Sequence, residues 1–311
     1  MSKLTAAAVQ TRLLDAAHGT EFSGMRQQLG RIGWDDAAVR ALVAEVAQRP
    51  ELQSRFGRIR RDILGEDGDP RPYLIERYAL LVTAAHWVSE VTALPVSEDV
   101  VALFLEEFVW LMQPRDSELA WFDAEQLTFP AICKLVTLRR FPAGQYHWEV
   151  SGLPRSTILR VKGWDRVRLA GAIFRMGGFA PLVAPHMPWR RPHLVLLESQ
   201  HYLAYYRMAE AMRRQPRIRG LLAEAWFHAP DTYKASPHLA FLNRVFYEWG
   251  GVVMNSGPTD AGSGVYERGE TRRRLAAAGK FTPTLGLVLW PRRAMLEWAA
   301  HYAGSSLRTT R

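Results

Sequence analysis

The stretch TLGLVLWPRRAMLEWAAHY, residues 284–302, changes its period halfway and so decides the fold class. Its first part, closed by Pro291, is a short continuous apolar run, the pattern of a strand buried on both faces. After Pro291 the apolar residues recur at helical spacing, so the chain passes from a strand into an amphipathic helix. The same alternation recurs upstream. TILRV (157–161) precedes DRVRLAGAIFRMGG, and FAPLVAP (179–185) and HLVLLE (193–198) precede QHYLAYYRMAEAMRRQP. IRGLLAEAWFH (218–228) then leads into SPHLAFLNRVFYEWGG, and VVMNSG (252–257) into GETRRRLAAAG. Short apolar strands separated by helices predict a mixed, largely parallel sheet covered by helices. Gly177–Gly178 and Gly250–Gly251 stand where helices should end in a left-handed residue.

Upstream of residue 130 the texture is helical. DDAAVRALVAEVAQRPEL, PYLIERYALLVTAAHWVSEVTAL and SEDVVALFLEEFVWLMQ carry apolar residues at helical spacing, the last opened by Ser97 as an N-cap. DGDPRP at 67–72 and LPVSED at 94–99 read as loops. The expected organisation is therefore an all-helical domain over 1–130 and a basic α/β domain over 135–311.

At 311 residues, 48% hydrophobic and 23% charged, the chain has the composition of a globular protein with a large core. No apolar run reaches the roughly 18–20 residues that span a bilayer, and the N-terminus lacks the apolar core of a secretion signal, so a cytoplasmic location is expected. The excess of arginine over lysine, with abundant alanine, suggests a GC-rich bacterial genome. The single cysteine, Cys133, excludes an internal disulfide and reads as a buried structural thiol. The net charge of +9 is unevenly divided. Residues 1–150 hold 16 Lys and Arg against 21 Asp and Glu, a balance of −5, while residues 151–311 hold 24 against 10, a balance of +14. The second half is thus suited to an anionic partner: a phosphate-bearing ligand, nucleic acid, or the acidic first half. Nucleic acid is disfavoured, because no helix-turn-helix, zinc-finger or RNA-binding signature accompanies the charge.

Several constellations could carry chemistry. Glu198 and His201 are three apart, one face of a helix, where both could reach a single ion. A dinuclear carboxylate site needs a second Glu-x-x-His, which the chain lacks, so no metal ligand set is assigned and acid/base roles are preferred. Glu224 and His228 are four apart in IRGLLAEAWFH and would share a face if that segment were extended. His147, Glu149 and Ser151 likewise share a face if QYHWEVSG is a strand. The glycine-rich NSGPTDAGSGVYERGETRRR (255–274) lies between a predicted strand and a predicted helix, where backbone amides cradle phosphate. Asn255, Gly262, Gly264, Arg272 and Arg273 are its candidate cofactor contacts, although it matches neither the Walker A nor the dinucleotide pattern. RRQPRIRG (213–220) and the Arg292 region could grip phosphate or cap helix carbonyls. With parallel strands, Trp226, His228, Asn255, Ser256, Trp290, Arg292 and Glu198 would gather at one rim.

Arg175-Met-Gly-Gly-Phe-Ala180 fits an R-x-x-G-x-A pattern that resembles the pyrophosphate loop of GNAT-type acyltransferases. In that family the loop follows a strand and opens a helix, whereas here a helix closes into a strand, and the match is set aside. The functional expectation is an enzyme that takes an anionic, phosphate-bearing cosubstrate and transfers a group, most plausibly an acyl group from coenzyme A to an amine or hydroxyl of a small-molecule substrate. Glu198, His201, Glu224 or His228 would be the base. A metal-dependent oxygenase or hydrolase using His and carboxylate ligands, and a non-catalytic module binding polyanions or proteins, are the alternatives.

Overall fold

A computed structural model describes residues 4–64, 74–113, 128–187, 196–259 and 269–309. The chain forms two compact units, one of residues 1–142 with 187–194, the other of 143–186 with 195–311.

In the first unit the described elements are helices up to Val136. They are α1 (Ala6–Ala17), α2 (Ser23–Arg31), α3 (Asp36–Gln48), α4 (Ser54–Leu64), α5 (Leu74–Trp87), α6 (Glu98–Leu111) and α7 (Thr128–Val136), followed by the short strand β1 (Arg140–Pro142). Asp35 caps α3 by accepting the Ala38 amide at 2.8 Å. Ser97 holds the N-cap position of α6, but its hydroxyl bonds the Asp99 carboxylate and does not cap the helix. Periodic apolar residues of α1, α3 and α5, among them Leu13, Val43, Leu81 and Val82, are buried, and α5 is buried along most of its length. That burial takes in Glu76, which is ion-paired with Arg60; desolvation raises its pKa. Cys133 is fully buried in α7, and burial pushes its thiol pKa well up. The loop read at 67–72 lies outside the described residues.

The second unit is built on β2 (His147–Ser151), β3 (Leu182–His186), β4 (Gly220–Ala225), β5 (Val252–Pro258) and β6 (Thr284–Pro291), side by side in the order β2-β3-β4-β6-β5. Its helices are α8 (Thr157–Arg160), α9 (Gly163–Met176), α10 (Glu198–Arg214), α11 (Thr232–Ala235), α12 (Phe241–Glu248), α13 (Glu270–Ala277) and α14 (Arg292–Thr309). The sheet is mixed, but it is not largely parallel. β2–β3, β4–β6 and β6–β5 are antiparallel, and only β3–β4 run the same way. The reason lies in β6, which inserts between β4 and β5 and runs against both. TILRV is not a strand either: Thr157–Arg160 is one turn of helix. Glu198 does not end a strand but begins α10, after the extended Leu197; residues 193–195 lie outside the described set.

Register divides the unit into two layers. On one side of the sheet, Leu182, Leu222, Leu287, Leu289 and Met254 pack on Leu169, Ala172, Ile173 and Met176 of α9. On the other, Trp290 packs against Tyr205 of α10, Phe246 of α12 and Trp298 of α14, with ring centroids 5.2–6.1 Å apart. Its indole donates to the Trp249 carbonyl at 2.8 Å, so this large core side chain is also satisfied. Helix α9 ends as the sequence foretells, with Gly177 in the left-handed conformation at φ 74°.

Gly286 of β6 lies directly under the Trp226–His228 turn that follows β4. A methyl group there would overlap the His228 carbonyl carbon and the Ala229 amide nitrogen, both backbone atoms that cannot swing aside. Gly286→Ala is therefore expected to cost about 1–3 kcal/mol, read as a lower thermal midpoint; an unchanged midpoint would refute this close approach.

Candidate active site at the fork between β3 and β4

The one parallel pair in the sheet is also its weakest joint. Arg219 N donates to Pro181 O at 2.9 Å where the strands begin, and Val183 is in register with Leu221. No further register pair joins the two described strands. In open α/β sheets ligands are placed at the C-terminal ends of parallel strands.

Pleating determines which side chains face this fork. Directly paired residues share a side. His147 is opposite His186 and Glu149 opposite Ala184, while Val183 pairs with Leu221 and Glu224 with Leu287. His147, Glu149, His186 and Glu224 therefore all project from the α8–α9 side, towards the C-terminal ends of β3 and β4. Across β2 and β3, His186 Nε2 stands 2.9 Å from Glu149 Oε1, with the imidazole 35% and the carboxylate 15% exposed. A carboxylate can only accept, so a hydrogen bond across this contact would carry its proton on Nε2 and leave the basic lone pair on Nδ1. A histidine so oriented, partly open to solvent at a strand end, is equipped to take a proton from a bound substrate. Glu224 Oε1 lies 3.2 Å from Arg160 Nη1 of α8, which places a carboxylate and a cation on the other strand of the fork.

His147 and Glu149 share a face as their spacing in QYHWEVSG requires. His186 was not singled out from the sequence, since its partner is distant in the chain; its place at the end of FAPLVAPH, next to a predicted strand end, was the available signal.

The other sequence candidates lie elsewhere. Glu198 and His201 do not converge. Glu198 is at the surface, accepting from Tyr202 Oη at 2.9 Å and pairing with Arg244 Nη1 at 3.0 Å. His201 is fully buried, its Nδ1 2.9 Å from Tyr146 Oη, packed against Tyr205 and Phe241. Burial lowers its pKa to about 3, with the nearby His228 adding to the effect. His228 and Glu224 do not share a face, because the strand ends at Ala225 and His228 belongs to a 3₁₀ turn. His228 Nδ1 donates to Asn243 Oδ1 at 2.6 Å and Asn243 Nδ2 returns a bond to His228 O at 2.8 Å; burial lowers the His228 pKa to about 4. Both histidines are thus neutral, buried and committed to the core.

Among the phosphate candidates, Arg292 is turned inward. Its Nη1 donates to the carbonyls of Met212, Gln215 and Ile218, closing the C-terminal end of α10. Arg272 is buried, bonded to Ser236 Oγ at 2.9 Å and stacked 4.5 Å over the Trp226 ring. Arg273 is exposed on α13. Gly262 and Gly264 lie outside the described residues. Asn255 N donates to Asp165 Oδ2 at 3.2 Å and its Oδ1 accepts from Thr284 at 3.1 Å; register aligns it with Gly286 and Ala225, at the same end of the sheet as Glu224. The single rim expected from parallel strands is not formed. Trp290 and Arg292 follow β6 to the opposite end, where Trp290 pairs with Leu221 near the start of β4. Among the described residues, no group of three or more His, Cys, Asp or Glu side chains is arranged to hold a metal ion.

No protein-family model matches the chain, and no curated protein does. Two solved structures resemble it. One is an acyltransferase in complex with decanoyl-CoA and teicoplanin, 14% identical over 92% of this chain and 88% of that one, with a TM-score of 0.49. The other is an acyltransferase in complex with decanoyl-CoA, 14% identical over 90% and 86%, with a TM-score of 0.46. Among the described residues, no helix is long and apolar enough to cross a membrane.

Proposed function

We propose that the second unit transfers an acyl group from a coenzyme A thioester to an amine or hydroxyl of a small-molecule acceptor, with His186 as general base. The observation that carries this reading is the His186–Glu149 pair, 2.9 Å apart, with His186 at the C-terminal end of β3 in the parallel β3–β4 pair. His186 Nδ1 accepts the acceptor's proton as its nitrogen or oxygen attacks the thioester carbonyl. The tetrahedral intermediate collapses, the C–S bond breaks, and the departing thiolate takes up a proton. Glu149 keeps the proton of the resting imidazole on Nε2 and steadies the imidazolium. Glu224, beside Arg160, orients the acceptor from the other strand. The +14 balance of residues 151–311 supports an anionic cosubstrate. Its phosphates are assigned to the end of β5, with Asn255, Arg273 and the glycine-bearing residues 262 and 264 as contacts. In this reading the protein is cytoplasmic and bacterial, with a helical domain over 1–130 and the catalytic domain over 135–311.

Two measurements test it. An acyl-CoA at about 100 times its dissociation constant should stabilise the protein by about 2.7 kcal/mol, seen as a raised thermal midpoint. Thiol release from acyl-CoA in the presence of amine and alcohol panels, followed with a thiol reagent, should then find an acceptor. Cys133 is buried and does not contribute to that signal in the folded protein. No stabilisation by any acyl-CoA removes the reading.

A further inference from the structure

The side of α8 and α9 turned away from the sheet carries large apolar residues that nothing among the described residues covers. Leu159 is 75% exposed, Trp164 74%, Val167 54% and Phe174 87%. At about 100° per residue, Trp164, Val167, Gly171 and Phe174 form one continuous arc of α9, opposite the buried Leu169, Ala172, Ile173 and Met176. Gly171 leaves the Trp164 and Phe174 rings uncovered between their turns; a Cβ there would meet nothing within 4 Å. Beside the arc, Ile158, Ala170, Ile173, Phe174, Gly178 and Phe179 line a shallow groove of about 520 Å³.

Charge selects the occupant. Arg168 and Arg175 flank the arc on one edge and Arg166 on the other, while Arg155, Arg160 and Lys162 lie near Leu159 in sequence. Arg166 donates to the Val161 carbonyl and Arg160 pairs with Glu224, so Arg175, Arg155 and Lys162 are the cations offered to a partner. Asp165 is the one acid on α9, and it is engaged by Arg168 and by the Asn255 amide. A second copy of this chain is a poor fit, because a two-fold contact would press these cations against their own counterparts. An apolar stripe with aromatic rings, bordered on both edges by cations, is the pattern of a helix lying in the interface of an anionic membrane. The rings stand outward from the surface, as insertion between lipids requires.

We propose that the α8–α9 face docks on an anionic lipid bilayer, with Trp164, Phe174 and Leu159 entering the headgroup region and Arg155, Lys162 and Arg175 meeting lipid phosphates. This assignment stands apart from the acyl-transfer reading and does not depend on it. The test is sedimentation of the full chain with vesicles of phosphatidylcholine alone or mixed with phosphatidylglycerol. Binding is expected to the mixed vesicles only, and to weaken as salt shortens the range of the charges. Phe174→Glu should reduce partitioning roughly tenfold or more, the worth of burying one aromatic ring, with the circular dichroism spectrum unchanged. Brominated lipid should quench wild-type emission more than that of Trp164→Phe. The assignment is overturned if folded wild-type protein stays in the supernatant with both vesicle types. It is equally overturned if Phe174→Glu binds mixed vesicles as well as the wild type does, or if the wild type is a dimer that Phe174→Glu converts to monomer.

Discussion

Replacing His186 with alanine is expected to lower the turnover number by about 10²–10⁴-fold, the usual contribution of a positioned general base, while the thermal shift produced by acyl-CoA persists. The two outcomes separate because in the proposed reaction the base acts on the acceptor's proton and the thioester is held elsewhere. Glu149→Gln should give a smaller loss, roughly 10–100-fold, as is typical when a partner that orients a histidine is removed. Glutamine can still occupy the site but can present its amide donors to Nε2, and so no longer fixes the tautomer. The pair is built across β2 and β3, whose register runs unbroken from His147–His186 to Ser151–Leu182, so both variants leave the strand pairing in place. If His186→Ala kept full turnover with the fold intact, the base would have to be sought on β4, where Glu224 faces the same fork.

The second large effect is on stability in acid. His201 and His228 have pKa values lowered to about 3 and 4, chiefly by burial. In an unfolded chain each returns to about 6.5. Below pH 6.5 the unfolded chain therefore binds protons that the folded chain refuses, and stability falls as the pH drops towards the folded values. Their stabilisation is fully present above the unfolded value and is lost at about 1.4 kcal/mol per pH unit per histidine. At pH 5 each has cost about 2 kcal/mol, and about 4 kcal/mol together, a substantial share of a typical 5–15 kcal/mol. Urea midpoints between pH 7 and pH 5 measure this directly. His201→Phe, placed among Tyr146, Tyr205 and Phe241, should remove about half of the slope whatever it does to stability at neutral pH. A midpoint flat across this range would mean that neither histidine is held neutral in the fold.

Much of the secondary structure was legible because local signals agreed. TLGLVLWP is β6 residue for residue, since an apolar run bounded by Pro291 has no competing period. DRVRLAGAIFRMGG holds α9 together with its glycine terminator. TILRV failed because five residues rich in branched side chains look alike as a strand or as a single helical turn, and packing decided. Strand order was not legible. Helices between strands do indicate direction, and β3, β4 and β5 do run the same way. Nothing local shows that β6 will insert between β4 and β5 and reverse the neighbours. The candidate site shows the same division. Glu149 and Glu224 were visible in their own segments, whereas the His186–Glu149 contact exists only across two strands. Spacing also brought forward His201 and His228, whose polar atoms are turned to Tyr146 and Asn243 in the interior.

The sheet is made of two groups of antiparallel strands joined by one parallel pair. His186 and Glu149 stand together on the β2–β3 group; Glu224 and Arg160 meet across the β4 side. Val183 with Leu221 and the Arg219–Pro181 bond carry the backbone pairing between these two groups of strands, so the His186–Glu149 distance is set wholly within one group. In the proposed reaction the base and the residue that orients the acceptor would therefore be held by different groups of strands, with the proton-accepting pair keeping one geometry of its own.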